Sequence, residues 1–484
     1  MNRKMLSYVL AVGLFFALVP LSAKKMSVPG LYHYTLDNGL NLFIMENNAA
    51  PLAFVMVTVR AGAVTQSPEN VGLFHLYEHM MFKGNAKYPN QPATIAALNE
   101  MGISDWNGFT AVDAVSYYFT VPAGMVRNGL EFWSYAIRTP LMEEKELANE
   151  KEVVVSEITA NMTNPGRIMY AALGKHLFPE KPWRLDTSGT VEIVRGATAE
   201  QLRNIQGEYY VPNNAAVFVG GDVQHDEIYR MVKEIYGDWK KTKEIPFDSV
   251  PTKTPFASIQ KFVYPDARSS DNFVQTGYYL RGPDAETDAA DTYGADMWGY
   301  LVKKPDGAYK SLLLSDEALS IPDADYISGY YSTERASGRI ALSSVMLNDG
   351  SPVKKTERWL EVVQTKGIPL MKTESFLGEK LIADAKTMME NADYYAVETA
   401  EGFLTNLSSV WASSGLDYFL GYEKKMNSVT GKQVRAFVEK YIEGKNGMFI
   451  VFVSPSVYEK NKAEFSAAGY AEINADNAFW WKEN

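Results

Sequence analysis

Val71-Gly72-Leu73-Phe74-His75-Leu76-Tyr77-Glu78-His79-Met80-Met81-Phe82-Lys83-Gly84 is the stretch around which the rest of the chain is organised. Residues three and four apart share a face of an α-helix, so a helix here projects His75, Glu78 and His79 into one small volume. Apolar Val71, Leu73, Phe74, Leu76, Met80, Met81 and Phe82 surround that polar trio, and Gly84 follows as a stop signal. Two imidazoles and a carboxylate converging in this way suit zinc, which takes neutral histidine nitrogens and leaves the carboxylate beside it to act on water. Buried histidines are also ordinary hydrogen-bonded core residues, and a short pattern arises by chance. The metal reading therefore makes a demand: a third protein ligand from elsewhere.

The supply of ligands is narrow. The chain has no cysteine, which excludes a disulfide framework, a thiolate metal site and a cysteine nucleophile. Its five histidines are His33, His75, His79, His176 and His225. His33 reads as part of a strand, His176 as lying in a loop near Pro179 and Pro182, and His225 as lying in a turn, so these three are structural or solvated. The acidic run from Glu143 to Ile158 is left. Glu150 and Glu157 lie seven apart, two turns along one helical face. Glu143, Glu144, Glu146 and Glu152 fit a solvated surface. Glu157, close to Val155 and Ile158, is the expected third ligand.

With 484 residues the chain exceeds what one core usually fills, so at least two domains are expected; 46% apolar and 22% charged residues are ordinary soluble composition. The net charge of -11, without a long basic run, argues against nucleic acid as a partner. Arg3 and Lys4, an apolar run from Leu6 to Val19, and Leu21-Ser22-Ala23 read as a secretory signal over residues 1–23, cleaved after Ala23. No other apolar run is long enough to span a bilayer. The expected product is exported, periplasmic or secreted, with no membrane span after cleavage.

Tyr32 to Leu36 and Leu40 to Met45 flank Asp37-Asn38-Gly39, a strong hairpin signal. A strand from Ala53 to Arg60 leads to the motif helix, and a short helix over 94–101 follows it. Asp105 to Asp113 and the β-branched, aromatic run Val115 to Val121 read as two strands of one sheet. Gly108 in the first of them marks either an edge where an extended peptide approaches, with Asn107, Gly108, Phe109 and Thr110 as its binding residues, or a plain bulge. Further helices are read over 125–138, 198–210 and 226–235, with a strand from Ala215 to Asp222. Lys240 to Ser258, with Pro246, Pro251 and Pro255, reads as a linker.

These landmarks together resemble the pitrilysin/insulinase family of zinc metallopeptidases, which carry His-x-x-Glu-His and, well downstream, a metal-binding glutamate preceded seven residues earlier by a supporting glutamate. Leu36-Asp37-Asn38-Gly39-Leu40, Phe82-Lys83-Gly84 with Tyr88-Pro89, Asn107-Gly108-Phe109-Thr110 and Tyr209-Tyr210-Val211-Pro212-Asn213-Asn214 resemble family landmarks in order. The resemblance implies an α+β fold of two homologous halves, each a mostly antiparallel sheet packed with helices. It implies one Zn2+ per chain on His75, His79 and Glu157, with Glu78 as general base and Glu150 as its support. The implied activity is hydrolysis of extended peptides or unfolded segments, with a non-catalytic peptide-binding or scaffold homologue as the alternative.

The second half echoes the first. Thr198-Ala199-Glu200-Gln201-Leu202-Arg203 matches Thr430-Gly431-Lys432-Gln433-Val434-Arg435 at an offset of 232 residues, each before a tyrosine and an apolar strand. Four segments are expected: 1–23 signal, 24–239 zinc-bearing domain, 240–260 linker, and 261–484 a second domain without a metal site, since no histidine follows His225. In active members of the family the companion half often supplies an arginine and a tyrosine seven apart. Here Leu314 and Ile321 stand at those places. The resemblance then implies a homologous partner subunit that contributes the pair, a heterodimer ahead of a homodimer.

Overall fold

The Asn38-Gly39 turn joins two strands of a seven-stranded sheet, and Gly39 adopts the positive φ of 89° that the tight turn needs. The structure is a computed structural model that describes residues 24–25, 28–396 and 398–482; the signal read over residues 1–23 lies outside them. The strands of this sheet are β1 (Lys24–Lys25), β2 (Leu31–Thr35), β3 (Asn41–Glu46), β4 (Leu52–Val59), β5 (Trp106–Thr110), β6 (Val115–Pro122) and β7 (Ala215–Gly221), in the order β1-β2-β3-β7-β4-β6-β5. Only the β3–β7 pair is parallel. Strand β4 is nearly all apolar because both of its faces are covered. Ala53, Val55, Val57 and Val59 enter the main core with the helices of the first half, while Phe54 and Met56 enter a second cluster on the opposite face.

A second sheet contains β8 (Gln260–Pro265), β9 (Phe273–Arg281), β10 (Ile327–Ser332), β11 (Arg339–Leu347), β12 (Met448–Val453) and β13 (Ala471–Glu472), in the order β10-β11-β9-β12-β8-β13. Its run β8-β12-β9-β11-β10 repeats the run β3-β7-β4-β6-β5 of the first sheet pair by pair, one parallel contact followed by three antiparallel ones. Thr198 and Thr430 each form a capping box, with Gln201 and Gln433 respectively, at the start of equivalent helices. The chain is thus an α+β protein of two homologous halves.

The halves cover each other reciprocally. Helix Pro165–Leu177 of the first half sets Ile168, Ala172 and Leu173 against Phe262, Ile450 and Phe452 of the second sheet. Helix Ala400–Ser414 of the second half sets Leu404, Leu407 and Trp411 against Phe43, Met56 and Phe218 of the first. Gly220 makes that approach possible: a Cβ there would lie 2.6 Å from Leu404 Cδ1 and 2.8 Å from Ala400 Cβ. Residues 240–259 contain no helix or strand, yet they are tied down. Arg184 donates to the carbonyls of Asp248 and Ser249, and Lys253 Nζ lies 2.6 Å from the buried Asp284 carboxylate.

Three local readings change. His176 lies on helix Pro165–Leu177, whose start is set by Asn164 accepting from the Gly166 and Arg167 amides, an N-cap signal stronger than the prolines that suggested a loop. His225 is the first residue of helix His225–Tyr236, with its ring stacked on Tyr32 at 3.7 Å and Nδ1 2.7 Å from Glu46 Oε1. No bulge interrupts β5, whose register with β6 is continuous from Trp106 opposite Phe119 to Thr110 opposite Val115. Among the described residues no helix is long and apolar enough to cross a membrane.

Candidate metal centre and active site

The motif helix spans Leu73–Met80. Its N-cap, Gly72, has φ 85°, and a Cβ there would meet Ser188 O at 2.6 Å and Gly189 Cα at 2.7 Å, so the position demands glycine twice over. Leu73, Phe74, Leu76, Tyr77 and Met80 bury themselves in the core and fix the helix's rotation. His75, Glu78 and His79 are then turned away from the apolar floor. Opposite lies helix Glu144–Asn161, anchored by Leu147, Val154 and Ile158, with Glu150 and Glu157 two turns apart.

Three atoms from these two helices form a near-equilateral triangle. His75 Nε2 and His79 Nε2 are 3.2 Å apart, and Glu157 Oε2 is 3.6 Å from the former and 3.5 Å from the latter. Tetrahedral zinc with bonds of about 2.0–2.1 Å needs its ligands roughly 3.3 Å from one another, so the triangle accepts such an ion at its centre. Without an ion the two ring nitrogens are within hydrogen-bond distance of each other, and the same arrangement offers both to a shared cation. These are the only His, Asp or Glu residues among those described whose donor atoms gather closely enough to hold a metal.

The surrounding groups set the protonation of the cluster. His79 Nδ1 lies 2.8 Å from Glu150 Oε1, which keeps the proton on Nδ1 and aims the Nε2 lone pair at the triangle. Lys83 Nζ, 2.6 Å from Glu150 Oε2, completes the chain. Burial opposes the charge on Glu150, but the hydrogen bonds from His79 and Lys83 prevail and hold its carboxyl below the ordinary range. Burial and then the neighbouring His79 push His75 down to about 4, leaving it neutral and available to a metal. For His79 burial favours the neutral ring, and the hydrogen bonds to Glu150 and Glu157 overcome it, carrying the ring up to about 9 without an ion. Its Nε2 proton must leave when a metal enters.

Glu78 is kept off the triangle. Its Oε2 accepts a hydrogen bond from the Thr110 hydroxyl at 2.7 Å, and burial pushes its carboxyl up to about 7 despite that bond. A carboxyl poised there takes and returns protons near neutral pH. Strand β5 forms the edge of its sheet, and its pleat divides the four residues assigned to peptide binding. Thr110 holds Glu78, and Gly108 clears space for it, since a Cβ at residue 108 would lie 3.0 Å from Glu78 Oε1 and 3.1 Å from its Cγ. Phe109 turns to the opposite face beside Tyr118, and Asn107 is exposed. The glycine thus makes room for a side chain of this chain. Sequence reasoning missed Lys83 and the hydroxyl role of Thr110; Lys83, four residues after His79, carried a spacing signal for shared surroundings.

The second half brings no arginine–tyrosine pair to the expected places. Leu314 ends helix Ala308–Leu314 and is 37% exposed, while Ile321 packs half-buried against the second core.

The model of the insulinase family (peptidase family M16) matches residues 42–191, and the model described as the peptidase M16 inactive domain matches residues 196–304. The mitochondrial-processing peptidase subunit beta of Dictyostelium discoideum is 27% identical over 209 residues, 43% of this chain and 44% of that protein. The uncharacterized zinc protease YmfH of Bacillus subtilis is 26% identical over 217 residues, 43% of this chain and 49% of that one. The chain therefore spans about half the length of these relatives or less. The first half of the periplasmic protease PqqL from Escherichia coli superposes with a TM-score of 0.72 at 18% identity, over 92% of this chain and 97% of that one. Pitrilysin gives 0.74 at 17% identity, over 95% and 51%.

Proposed function

Because the chain belongs to the pitrilysin/insulinase family of peptidases, we propose that it is a zinc-dependent endopeptidase acting on extended peptides or unfolded segments, with one zinc ion per chain. The observation that carries the proposal is the 3.2–3.6 Å triangle of His75, His79 and Glu157 with Glu78 beside it. When bound there, zinc supplies the Lewis acidity that activates water and polarises the scissile carbonyl. Glu78 takes the proton of the attacking water and delivers it to the leaving amine. Glu150 orients His79 by accepting the hydrogen bond from its Nδ1, and Lys83 steadies Glu150 in turn. Thr110 fixes the Glu78 carboxyl, and the edge of β5 over Asn107–Thr110 offers backbone groups to an added substrate strand.

The residues at Leu314 and Ile321 favour a division of labour in which a homologous subunit supplies the arginine and tyrosine that hold substrate and stabilise the oxyanion, a heterodimer ahead of a homodimer. The leader-like residues 1–23 favour export, periplasmic or secreted. The same absence of arginine and tyrosine is what would favour a second reading, a zinc-carrying subunit or scaffold that grips peptides without cutting them.

The deciding experiment measures zinc content and cleavage of a quenched peptide library by the purified chain, alone and with a homologous subunit, beside Glu78→Gln. The proposal expects about one zinc per chain in both proteins and cleavage only with Glu78. Cleavage that survives Glu78→Gln overturns the assigned base. Zinc and peptide binding without cleavage in any combination establishes the gripping subunit instead.

A further inference from the structure

Between the halves lies a cavity of about 690 Å³ whose lining includes Thr110, the residue holding Glu78, together with Asp296, Tyr418 and Tyr422. Asp296 sits on helix Ala289–Lys303. This helix follows β9 as the motif helix follows β4, and it packs on β10 as the motif helix packs on β5. The burial patterns of the two helices coincide at an offset of 221 residues: Leu76, Tyr77 and Met80 correspond to the buried Met297, Trp298 and Leu301. At that register His75, Glu78 and His79 correspond to Asp296, Gly299 and Tyr300. This helix has no histidine and keeps, among those three places, one carboxylate, at that of the first histidine.

That carboxylate is short of partners. It accepts a hydrogen bond from the Tyr422 hydroxyl at 2.8 Å, and Lys303, two turns along the same helix, favours its charge without forming an ion pair with it among the described residues. Burial favours its neutral form and pushes it up to about 7. An ionised carboxylate in such surroundings is costly until a cation joins it. The other acids lining the cavity contribute less charge: burial and then the neighbouring Glu334 push Asp113 up to about 8, and Glu334 is paired with Arg339 at 3.3 Å. Arg167 is the one cation in the lining. The same cavity is lined by apolar Leu407, Val410 and Phe419 and by Tyr418 and Tyr422, whose rings lie 5.7 Å apart.

Resting on the peptidase reading above, we propose that Asp296 anchors a subsite for a lysine or arginine side chain of the bound peptide. The aliphatic stem lies along Leu407 and Val410, and the cation reaches the carboxylate beside the tyrosine rings. A neutral apolar side chain fills the walls and leaves Asp296 uncompensated; an acidic one is repelled.

The test measures binding, so that it does not depend on cleavage. Fluorescein-labelled ten-residue peptides of alanine, serine and threonine, with a single lysine walked through the sequence and norleucine at the same position as control, are titrated by anisotropy against the full zinc-loaded chain carrying Glu78→Gln. At one or two adjacent positions lysine should bind about tenfold more tightly than norleucine, and adding Asp296→Asn should bring that ratio close to one. With Asp296 intact the ratio should also fall between pH 8 and pH 5.5 as the carboxyl protonates, a readout that leaves the packing unaltered. No lysine preference at any position, or a preference that survives Asp296→Asn, overturns the subsite and leaves the peptidase reading standing. A preference that obeys Asp296, when the chain with Glu78 intact cuts nothing either alone or with a homologous subunit, leaves the subsite standing and overturns the peptidase reading.

Discussion

The same five-strand frame holds two helices of opposite character. In the first half the helix after β4 presents His75, Glu78 and His79 toward Glu150 and Glu157. In the second half the helix after β9 has Asp296, Gly299 and Tyr300 at the corresponding places, and the helix equivalent to Glu144–Asn161, Glu379–Ala396, buries Ile382, Ala385 and Met389. Both helices are locked by the same kind of floor, Tyr77 in one and Trp298 in the other, each fully buried. The frame therefore does not need the polar cluster. What the cluster adds is chemistry, at the cost of burying a carboxyl, Glu78, which the Thr110 hydroxyl holds and which the second half replaces with a glycine.

The comparison can be broken most sharply at Glu78. Glu78→Gln should lower peptide cleavage by roughly 10³-fold while zinc content, read by metal analysis, stays near one per chain. Glu150→Gln should reduce metal affinity or activity by about 10–100-fold, measured by competition with a chelator, because His79 loses the partner that sets its tautomer. Gly108→Ala presses on Glu78 and should cost about tenfold in kcat with zinc retained, an order of magnitude suited to misplacing a general base.

Stability sharpens the same contrast. In metal-stripped protein the folded Glu78 carboxyl lies at about 7 against an ordinary 4.5, so the folded state binds the proton more tightly than the unfolded state does. Its stability relative to Glu78→Gln must fall as the pH rises from 4.5 to 7 and then level off. Denaturant midpoints should show Glu78→Gln more stable by about 2–3 kcal/mol at pH 8, with the difference vanishing near pH 4.5. Gly299→Ala, whose new Cβ meets nothing nearer than Tyr331 N at 3.9 Å, should stabilise the chain by about 0.5–1 kcal/mol.

The two-half α+β frame was readable because its signals are local and periodic: the Asn-Gly hairpin, the β-branched runs, and the matching Thr198 and Thr430 caps. The grouping of His75, Glu78 and His79 was readable for the same reason, since helical spacing alone turns them to one side. Helix Pro165–Leu177 was missed because prolines beyond its end outweighed a single asparagine cap in the reading, and His176 was misread as lying in a loop with it.

By itself the sequence determined which residues share a helical face, that the second half has no histidine to offer a metal, and that its Leu314 and Ile321 bring neither arginine nor tyrosine. The tertiary structure alone decided the distances that draw Glu157 to the two histidines, the hydroxyl of Thr110 on Glu78, and the exchange of helices by which each half covers the other's sheet. It alone brought Asp296 and Thr110 to the lining of one cavity. Spacing along a helix follows from 3.6 residues per turn, whereas contacts between segments far apart in sequence depend on how whole sheets twist and pack, which no local pattern encodes.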